Sequence, residues 1–420
     1  MDKLVIHGGR SLEGEIPISG SKNATLPVMA ATLLAPGLYR FSNVPGLRDI
    51  RTMCRLLQHL GAKIKSGERE LQVDTGSAHA TVAPYDIVKT MRASFYVLGP
   101  LLARHREARV SLPGGCAWGP RPVDLHVKGM EALGANVELD EGYVVARSPR
   151  LKGATIEFPI SSVGATGNIL MAAVLAEGTT VLKNAAVEPD ITHLAEFLVS
   201  MGARIEGIGT REVVIHGVHE LHPADAEMIP DRVETATYVC AVGMARGRVQ
   251  LTSCRPDHVA SPIECARRMG MEITAEDNTI VAARSGKRLS PIDIVTEPYP
   301  GFPTDLQAPF MAMACLADGV SHITDTVYRD RFTHVAELAR LGGRIAVLDN
   351  MAVVNGVKEL KGAPVMSTDL RASVCLVLAG LAARGTTEVK RVYHLDRGYE
   401  RIEEKLSRVG ARISREEGEL

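Results

Sequence analysis

The stretch Leu60-Gly61-Ala62-Lys63-Ile64 recurs, with small changes, five more times along this chain. The six copies follow one another at intervals of about 70 residues, which is the mark of an internal repeat. In each copy an apolar helical pattern precedes the glycine, and a strand-like pattern follows it. The other copies are Leu133-Gly134-Ala135-Asn136-Val137, Met201-Gly202-Ala203-Arg204-Ile205, Met269-Gly270-Met271-Glu272-Ile273, Leu341-Gly342-Gly343-Arg344-Ile345 and Val409-Gly410-Ala411-Arg412-Ile413.

Each repeat contains two helix-like stretches, with strand-like runs between and after them. The first stretch is apolar on nearly every side, which is typical of a buried helix, whereas the second stretch is amphipathic. The repeat therefore has the order helix–strand–helix–strand–strand, or βαβαββ when the starting point is shifted by one strand. The first helices are predicted at residues 26–34, 95–102, 168–176, 237–244, 308–316 and 373–382.

Six repeats in 420 residues predict an α/β protein with two domains, because the chain is too long for one ordinary core. Three repeats can bury their first helices together with their sheets facing outward, which gives two inside-out α/β barrel domains with a cleft between them. The strand-like run at 16–20 has no helix before it, and we expect it to complete the last repeat. A linear solenoid of six repeats is less favoured, because these repeats are longer than the usual solenoid period. The predicted domains are residues 20–229, and residues 1–19 together with 230–420.

The overall composition indicates a cytoplasmic protein that does not bind nucleic acid. The 48 basic residues are balanced by 49 acidic ones, which argues against a nucleic-acid partner. Seven cysteines, an odd number without a Cys-x-x-Cys pair, favour reduced thiols. The sequence shows neither a signal peptide nor an apolar run of the ~20 residues that span a membrane. The histidines have no metal-ligand spacing, so we expect neither a metal nor another cofactor.

Basic residues stand just before or at the start of several predicted helices, all at the same end of the repeat: Lys22, Arg121, Arg331, Arg371 and Arg397. Helix N-termini carry free N–H groups and a partial positive charge. A cation at such a position is disfavoured unless an anion balances it, so the pattern predicts a phosphorylated or otherwise anionic small ligand. The Ser, Thr and Asp residues at the same positions fit ordinary helix N-caps equally well.

The second repeat has a loop at 112–122 that the other copies lack, and it places Cys116 among glycines and close to Arg121. A nearby cation and a following helix lower the pKa of a thiol, and glycines allow unusual backbone angles. A lone cysteine is more often structural than reactive, but this loop favours a reactive thiol. The other six cysteines lie in or beside apolar segments and are predicted to be structural.

Seven segments of the chain resemble one family of enzymes. They are Ser19-Gly20-Ser21-Lys22-Asn23-Ala24, Lys89-Thr90-Met91-Arg92-Ala93-Ser94, Leu112-Pro113-Gly114-Gly115-Cys116, Arg121-Pro122-Val123-Asp124-Leu125-His126, Phe302-Pro303-Thr304-Asp305-Leu306-Gln307, Thr368-Asp369-Leu370-Arg371-Ala372 and Asp396-Arg397-Gly398-Tyr399-Glu400-Arg401. With them the chain resembles the enolpyruvyl transferases over nearly its whole length, and most closely the branch that acts on UDP-N-acetylglucosamine in cell-wall synthesis. The resemblance implies two domains of three βαβαββ units each. It also implies transfer of the enolpyruvyl group of phosphoenolpyruvate to the 3′-hydroxyl of UDP-N-acetylglucosamine, with release of phosphate.

The resemblance also implies residue roles. Lys22, Arg121 and Arg397 would hold the phosphate and carboxylate of phosphoenolpyruvate, with Arg331 and Arg371 supporting that charge. Asp305 would take the hydroxyl proton, with Asp369 assisting. Cys116, on a mobile lid, would donate a proton to the methylene carbon or trap phosphoenolpyruvate covalently. The nucleotide sugar would be bound by Asn23, Arg92, Arg121, Pro122, Val123, Asp124, Leu125, Ser162, Val163, Gly164, Asp305 and Val327.

These residue types suit the reaction, because addition to a vinyl ether carbon needs a base, an acid and cations for the anionic group. Two features depart from the usual family pattern. The loop 117–120 lacks the more usual isoleucine, and Ile160 stands where some members carry a lysine. Two alternatives stay open: a 5-enolpyruvylshikimate-3-phosphate synthase, against which Cys116 counts, and a catalytically silent nucleotide-sugar sensor, against which Asp305, Arg397 and Cys116 count.

Overall fold

The computed structural model describes residues 2–113 and 123–417 of the chain. The chain divides into two compact units. The Gly20 unit is Gly20–Ile229 and holds the first three repeats, and the Pro230 unit combines Met1–Ser19 with Pro230–Leu420 and holds the last three.

The six repeat glycines end six helices with the same backbone turn. Their φ angles lie between +88° and +104°, a region that only glycine adopts without strain. In the first copy the N–H of Gly61 donates to Gln58 and the N–H of Ala62 donates to Leu57, which is the hydrogen-bond pattern of a Schellman cap. The other five copies make the same pair of bonds. The recurring phrase is therefore a helix C-cap followed by the turn into a strand.

Each repeat contributes a four-stranded sheet, and all six sheets have the same topology: the first two strands pair in parallel and the other neighbours pair antiparallel. In spatial order, the sheets of the Gly20 unit are Ala226–Glu227, Leu38–Ser42, Glu70–Asp74 and Lys63–Ser66; Val82–Ala83, Glu107–Ser111, Tyr143–Arg147 and Asn136–Asp140; and Thr155–Glu157, Thr179–Lys183, Glu212–His216 and Arg204–Glu206. Those of the Pro230 unit are Leu12–Pro17, Gly247–Thr252, Thr279–Arg284 and Glu272–Glu276; Asp293–Val295, Val320–Thr324, Met351–Asn355 and Arg344–Leu348; and Pro364–Met366, Thr386–Lys390, Asp2–His7 and Arg412–Glu417.

The prediction that the strand at 16–20 completes the last repeat is wrong. The strand Leu12–Pro17 pairs in parallel with Gly247–Thr252 and so belongs to the fourth repeat. The last repeat is completed instead by Asp2–His7, which lies between Thr386–Lys390 and Arg412–Glu417. Because the repeats share one hydrophobic pattern, local sequence does not tell which copy a separated strand joins.

The first helix of each repeat lies inside its unit. In Arg232–Ala245 every residue after the first is buried, and in Leu370–Ala382 all residues from 371 to 381 are buried. Strands such as Glu212–His216 and Val320–Thr324 alternate buried residues with more exposed ones, so one side of each of these strands faces the helices. The predicted arrangement, with helices inside and sheets outside, is confirmed, and the sheets of each unit remain separate four-stranded sheets. The inner helices are Lys22–Ala31 with Thr32–Leu34, Arg92–Val97 with Leu98–His105, Val163–Ala173, Arg232–Ala245, Thr304–Leu306 with Gln307–Ala314, and Leu370–Ala382.

The second helix of each repeat is amphipathic, as predicted, and ends at the repeat glycine. These helices are Arg48–His59, Asp124–Ala132, Pro189–Ser200, Pro256–Val259 with Ala260–Arg268, His334–Arg340, and Val392–Arg397 followed by Ile402–Arg408. One further short helix is Tyr85–Val88. Among the described residues, none of the helices has the length and apolar character needed to cross a membrane.

Candidate active site

In the Pro230 unit, two arginines converge on one carboxylate. Nε of Arg371 donates to Oδ1 of Asp305 over 3.1 Å, and Nη2 of Arg331 donates to the same oxygen over 3.0 Å. The arginine side chains are only 8% and 11% exposed, against 27% for the aspartate. Asp305 lies in the short helix Thr304–Leu306, and Arg371 is the second residue of the helix Leu370–Ala382. The structure thus brings three predicted site residues from separate chain segments into direct contact.

The charges in this cluster reinforce one another. Burial alone would raise the pKa of Asp305, but the guanidinium groups of Arg371 and Arg331 hold it well below its usual range. Burial would lower the pKa of Arg371, whereas the charge of Asp305 raises it above its ordinary value. Nη1 of Arg371 also lies 3.4 Å from the hydroxyl of Tyr399, which in turn lies 2.9 Å from the hydroxyl of Thr237. Both ions of the central pair are therefore fully charged near neutral pH.

Asp369 caps the helix that carries Arg371. Its Oδ1 accepts from the backbone N–H groups of Arg371 at 2.8 Å and Ala372 at 3.2 Å. Its Oδ2 lies 3.2 Å from the hydroxyl of Thr368 and 3.4 Å from that of Thr333. This is the ordinary role of an N-cap aspartate, and it orients the first turn of the helix. A part for Asp369 in proton transfer stays a prediction.

The sequence predicted Arg397 at the start of a helix. In the structure it lies instead at the end of the short helix Val392–Arg397. The next helix, Ile402–Arg408, begins after an N-cap residue, Arg401, with a φ of +46°. The turn after Arg397 packs tightly on the Arg371 helix, since a Cβ built on Gly398 would lie 2.6 Å from Cδ2 of Leu370. The Arg397 segment is therefore next to the first turn of that helix, although its helix assignment was wrong.

In the Gly20 unit, Lys22 is the first residue of the helix Lys22–Ala31, as predicted. Its Nζ lies 3.3 Å from Oδ2 of Asp49, and the two side chains are 11% and 5% exposed. The N-cap of this helix is Ser21, whose hydroxyl donates to Oδ1 of Asp190 over 2.7 Å. Asn23 follows Lys22 in the first turn and is half-buried. A buried carboxylate thus faces a lysine that the sequence assigns to an anionic ligand.

A second group in the same unit collects the residues predicted for the nucleotide sugar. His126 is 4% exposed, and its Nδ1 accepts a hydrogen bond from the amide of Asn168 over 2.8 Å. A Cβ built on Gly164 would lie 3.1 Å from this ring, so the segment 162–164 touches the helix Asp124–Ala132. The charge of Arg92 acts on the same ring and, after burial, is the second cause that lowers its pKa to about 3. The structure therefore brings His126 close to Gly164 and Arg92, at the starts of the helices Asp124–Ala132 and Val163–Ala173, with Ser162 as the N-cap of the second helix. Contacts of Val123, Asp124 and Leu125 with the nucleotide sugar stay a prediction.

Cys116, Arg121 and Pro122 lie outside the described residues, and so do Ala117 to Pro120, on which the loop departure rests. The remaining six cysteines are described, and none of them is in a disulfide. Burial raises the pKa of each of these thiols, to about 11 for Cys54 and Cys254 and about 12 for Cys315. They are therefore poor nucleophiles. In the part of the chain that the structure describes, no group of His, Cys, Asp and Glu residues is placed to hold a metal ion.

Sequence reasoning assigned no role to three residues that contact the predicted site. Asp49 pairs with Lys22, Tyr399 contacts Arg371, and His126 packs against Gly164. Tyr399 and His126 lie inside two of the segments that carried the family resemblance, and Asp49 stands at the start of a second helix. Their positions could have suggested them, but their contacts depend on distant parts of the chain.

The comparison with known proteins shows to which family the chain belongs. The family model of EPSP synthase (3-phosphoshikimate 1-carboxyvinyltransferase) matches residues 6–406. The chain belongs to the enolpyruvyl transferase family. It is similar over 99% of its length to the solved enolpyruvyl transferase NikO from Streptomyces tendae, with a TM-score of 0.89, 28% identity and 98% of that chain covered. An EPSP synthase from Acinetobacter baumannii shares the fold, with a TM-score of 0.78 and 18% identity over 99% of this chain and 100% of that one.

Curated enolpyruvyl transferases are more similar still. A UDP-N-acetylglucosamine 1-carboxyvinyltransferase from Chloroherpeton thalassium is 54% identical over 419 residues, covering 99% of this chain and 97% of that protein. An enzyme of the same name from Trichlorobacter lovleyi is 52% identical over 416 residues, covering 99% of each chain. The resemblance inferred from the motifs is confirmed, and this enolpyruvyl transferase is an enzyme.

Proposed function

We propose that this enolpyruvyl transferase moves the enolpyruvyl group of phosphoenolpyruvate to the 3′-hydroxyl of UDP-N-acetylglucosamine and releases phosphate. The reaction would take place in the cytoplasm, as the first committed step of peptidoglycan synthesis. The observation that carries the proposal is the contact of Asp305 with Arg331 and Arg371. In this contact a carboxylate that could accept the proton of the acceptor hydroxyl lies beside two cations that could bind the anionic donor, and this supports the proposal. The names of the relatives at 52–54% identity support the choice of acceptor.

The chemistry is an addition followed by an elimination. In the addition, the 3′-oxygen bonds to C2 of phosphoenolpyruvate, its proton passes to the carboxylate of Asp305, and C3 gains a proton and becomes a methyl group. In the elimination, the bond between C2 and the phosphate oxygen breaks, and C3 loses a proton to restore the double bond. Cys116 is the proposed donor to C3, and a covalent adduct of its thiol with phosphoenolpyruvate is the alternative. The addition then has a proton acceptor in Asp305 and a proton donor in Cys116, and the thiolate left on Cys116 can take back a proton from C3 in the elimination.

The arginines adjust the strength of the base. While Arg331 and Arg371 both bind Asp305, its pKa is held low and the carboxylate is a weak proton acceptor. A bound phosphate or carboxylate competes for the same guanidinium groups, and the loss of their contacts makes Asp305 more basic. In a site from which water is largely excluded these charge interactions are strong. The donor substrate would therefore prepare the base that the acceptor needs.

The remaining site residues divide between the two substrates. Lys22, Arg121 and Arg397 are proposed to hold phosphoenolpyruvate, as the family resemblance implies. The group around His126 is proposed to bind the nucleotide sugar through Arg92 and the segments 123–125 and 162–164. Asn23 and Val327 would add contacts to the same ligand. The ligands are therefore two small anionic molecules.

The test measures phosphate release by the purified protein. We expect release only when phosphoenolpyruvate and UDP-N-acetylglucosamine are both present. Asp305→Asn should lower kcat by about 100-fold or more, which is the usual worth of a general base. Asp349→Asn is the matched control, because Asp349 is 76% exposed and pairs with Arg329, which is itself 66% exposed. Its kcat should stay within about twofold of the wild-type value.

The name of the matching family model favours one alternative acceptor, shikimate 3-phosphate. The same assay with this acceptor in place of the nucleotide sugar decides between them. Turnover with shikimate 3-phosphate alone would show that the acceptor is wrong. Absence of turnover with either acceptor would favour the nucleotide-sugar sensor.

A further inference from the structure

Asp325 is a fully buried carboxylate of the Pro230 unit that the reaction steps above do not use. Its Oδ1 accepts from the hydroxyl of Thr296 at 2.8 Å and from the backbone N–H groups of Val327 at 3.0 Å and Tyr328 at 2.8 Å. Its Oδ2 accepts from the hydroxyl of Thr304 at 2.7 Å. Burying a carboxylate is costly unless donors surround it, and here four donors do. The carboxylate of Asp325 therefore fixes the positions of the four groups that donate to it.

Two of the four donors lead directly to Arg331. Thr304 gives its single hydroxyl proton to Asp325, so its oxygen is left to accept from Nη1 of Arg331, which lies 3.0 Å away. Tyr328, whose amide is bound to Asp325, places its ring 5.5 Å from the guanidinium carbon of Arg331. Two neighbours of the guanidinium, Thr304 and Tyr328, are therefore bound to one carboxylate, and the guanidinium in turn contacts Asp305.

The turn that Asp325 occupies differs from the corresponding turn of four other repeats. The residue that follows the corresponding strand has a positive φ in four copies: +54° at Asn43, +53° at Asn184, +53° at Ser253 and +59° at Arg391. Asp325 is not among the described residues with a positive φ. Its backbone turn therefore differs from that of these four copies.

The hydrogen bonding at this turn is also reversed. Asn43 and Asn184 each use the side-chain amide to donate to a backbone carbonyl, at Met228 and Phe158 respectively. Thr296 occupies the corresponding place in the fifth copy, because its backbone N–H bonds the end of the neighbouring strand as those of Met228 and Phe158 do. In the fifth copy the turn residue is Asp325, whose side chain accepts from the hydroxyl of Thr296 instead of donating. The first and third copies form the shared fold without an accepting side chain at this position, so the fold alone does not require the carboxylate of Asp325.

We propose that Asp325 is a positioning residue for the transfer reaction. Through Thr304 and Tyr328 it holds the guanidinium of Arg331 in place for phosphoenolpyruvate. Through the amide of Val327 it sets the backbone that the nucleotide sugar contacts. One buried carboxylate thus orients a contact for each substrate, and this inference rests on the proposed function for the roles of Arg331 and Val327.

Four variants separate the two arms of Asp325, which are its bond to Thr304 and its bonds to the amides of Val327 and Tyr328. Thr304→Val removes the bond between Asp325 and Thr304 and the contact of Thr304 with Arg331, and it leaves the amides of Val327 and Tyr328 bound to Asp325. It should raise the KM for phosphoenolpyruvate by about tenfold, since the lost contact involves a charged group. Asp325→Asn keeps an oxygen for the amides but turns a donor toward Thr304, so it should act like Thr304→Val. Asp325→Ala removes both arms and should raise the KM for both substrates by about tenfold. Thr304→Ser keeps the hydroxyl, so the KM values for both substrates should stay close to those of the wild type.

The matched control is Asn184→Ala, at the corresponding turn of the third repeat. It breaks the bond to Phe158 and places alanine at a left-handed position, so it should lower stability while leaving both KM values within about twofold. A purely structural role for Asp325 would instead reduce the active fraction of every variant without a change in KM. Unchanged KM values in Thr304→Val, or equal shifts for both substrates in all variants, would overturn the proposal.

Amide hydrogen exchange keeps this test independent of the reaction. Without substrates, the amides of Val327 and Tyr328 should exchange about tenfold faster in Asp325→Ala, and at the wild-type rate in Asp325→Asn and Asn184→Ala. Unchanged exchange in Asp325→Ala would overturn the positioning claim. If wild-type protein releases no phosphate from the two proposed substrates, the proposed function fails, and the exchange rates alone decide whether Asp325 orders this segment.

Discussion

The Nε atom of Arg371 donates a hydrogen bond to Oδ1 of Asp305 over 3.1 Å, which joins the first turn of one buried helix to the first turn of another. The arginine is the more deeply buried partner, with 8% of its side chain exposed. Its planar guanidinium contacts Asp305 with one nitrogen and Tyr399 with another. An ammonium group on a flexible chain does not reproduce this pair of contacts.

Arg371→Lys is therefore expected to lower kcat/KM for phosphoenolpyruvate by about 100-fold, although the charge is kept. Steady-state phosphate release at several concentrations of phosphoenolpyruvate measures the effect. Arg329→Lys is the control, because Arg329 is 66% exposed and its pairing with Asp349 is worth little. Equal kcat/KM values for the two variants would contradict a role for the guanidinium geometry.

His126 should make the Gly20 unit sensitive to acid. Burial and the charge of Arg92 lower its pKa to about 3, from an ordinary value of 6.5. Because the folded pKa is the lower one, the unfolded chain binds the proton more tightly. The contribution of neutral His126 to the free energy of unfolding is therefore fully present above pH 6.5. It is lost as the pH falls from 6.5 toward the pKa of the folded state, at about 1.4 kcal/mol per pH unit.

The measurement compares the free energy of unfolding of the wild type and His126→Gln in urea at several pH values between 7.5 and 4.5. The wild type should lose stability more steeply than the variant below pH 6.5. Parallel curves for the two proteins would show that His126 is not the titrating group.

Glu234 and Lys405 form a buried pair beside Ser19. Nζ of Lys405 lies 2.7 Å from Oε1 of Glu234, and their side chains are 10% and 2% exposed. Removal of one partner leaves an unpaired buried charge, so Lys405→Met should destabilise the Pro230 unit by about 3–5 kcal/mol. Native-state hydrogen exchange of the helix Arg232–Ala245 measures this locally. Lys3→Met, which breaks the more exposed contact with Glu388, should cost less than about 1 kcal/mol, and similar costs for both would contradict the account.

Cys116 is predicted to be the one thiol that reacts with electrophilic substrate analogues. The six described cysteines have pKa values raised by burial, and five of them are buried. An epoxide phosphonate such as fosfomycin should therefore add once per chain, and peptide mapping by mass spectrometry should place the adduct on Cys116. Cys116→Ala should prevent the addition, whereas Cys265→Ala should not. An adduct on Cys265, the half-buried thiol, would contradict the predicted reactivity.

The repeat could be predicted from sequence because its signal is local and physical. A glycine with φ near +100° is needed at each helix end, and Gly61, Gly202 and Gly410 supply it with the same neighbours. The burial of the first helices also followed from composition alone. The partner of the strand Leu12–Pro17 could not be predicted, because strand pairing is non-local and the sheets share one pattern.

The site was predicted unevenly for a similar reason. Asp305, Arg331 and Arg371 were predicted from the family resemblance, and the two arginines also from their places at helix starts. Both arginines contact Asp305 in the structure. Asp325 was not nominated, because its role depends on Thr296 and Thr304, which approach it only in the folded chain. The sequence did carry one hint, since the first and third copies have asparagine at the position of Asp325.

The central claim is enolpyruvyl transfer to UDP-N-acetylglucosamine by addition and elimination, and product analysis in D₂O tests it most directly. The protein is incubated with phosphoenolpyruvate and UDP-N-acetylglucosamine, and the nucleotide product is examined by mass spectrometry and proton NMR. The addition step delivers an exchangeable proton to C3, so the account predicts an enolpyruvyl ether on the 3′-oxygen with deuterium in its methylene group. No enolpyruvyl nucleotide sugar, or one whose methylene group carries no deuterium, would contradict the account.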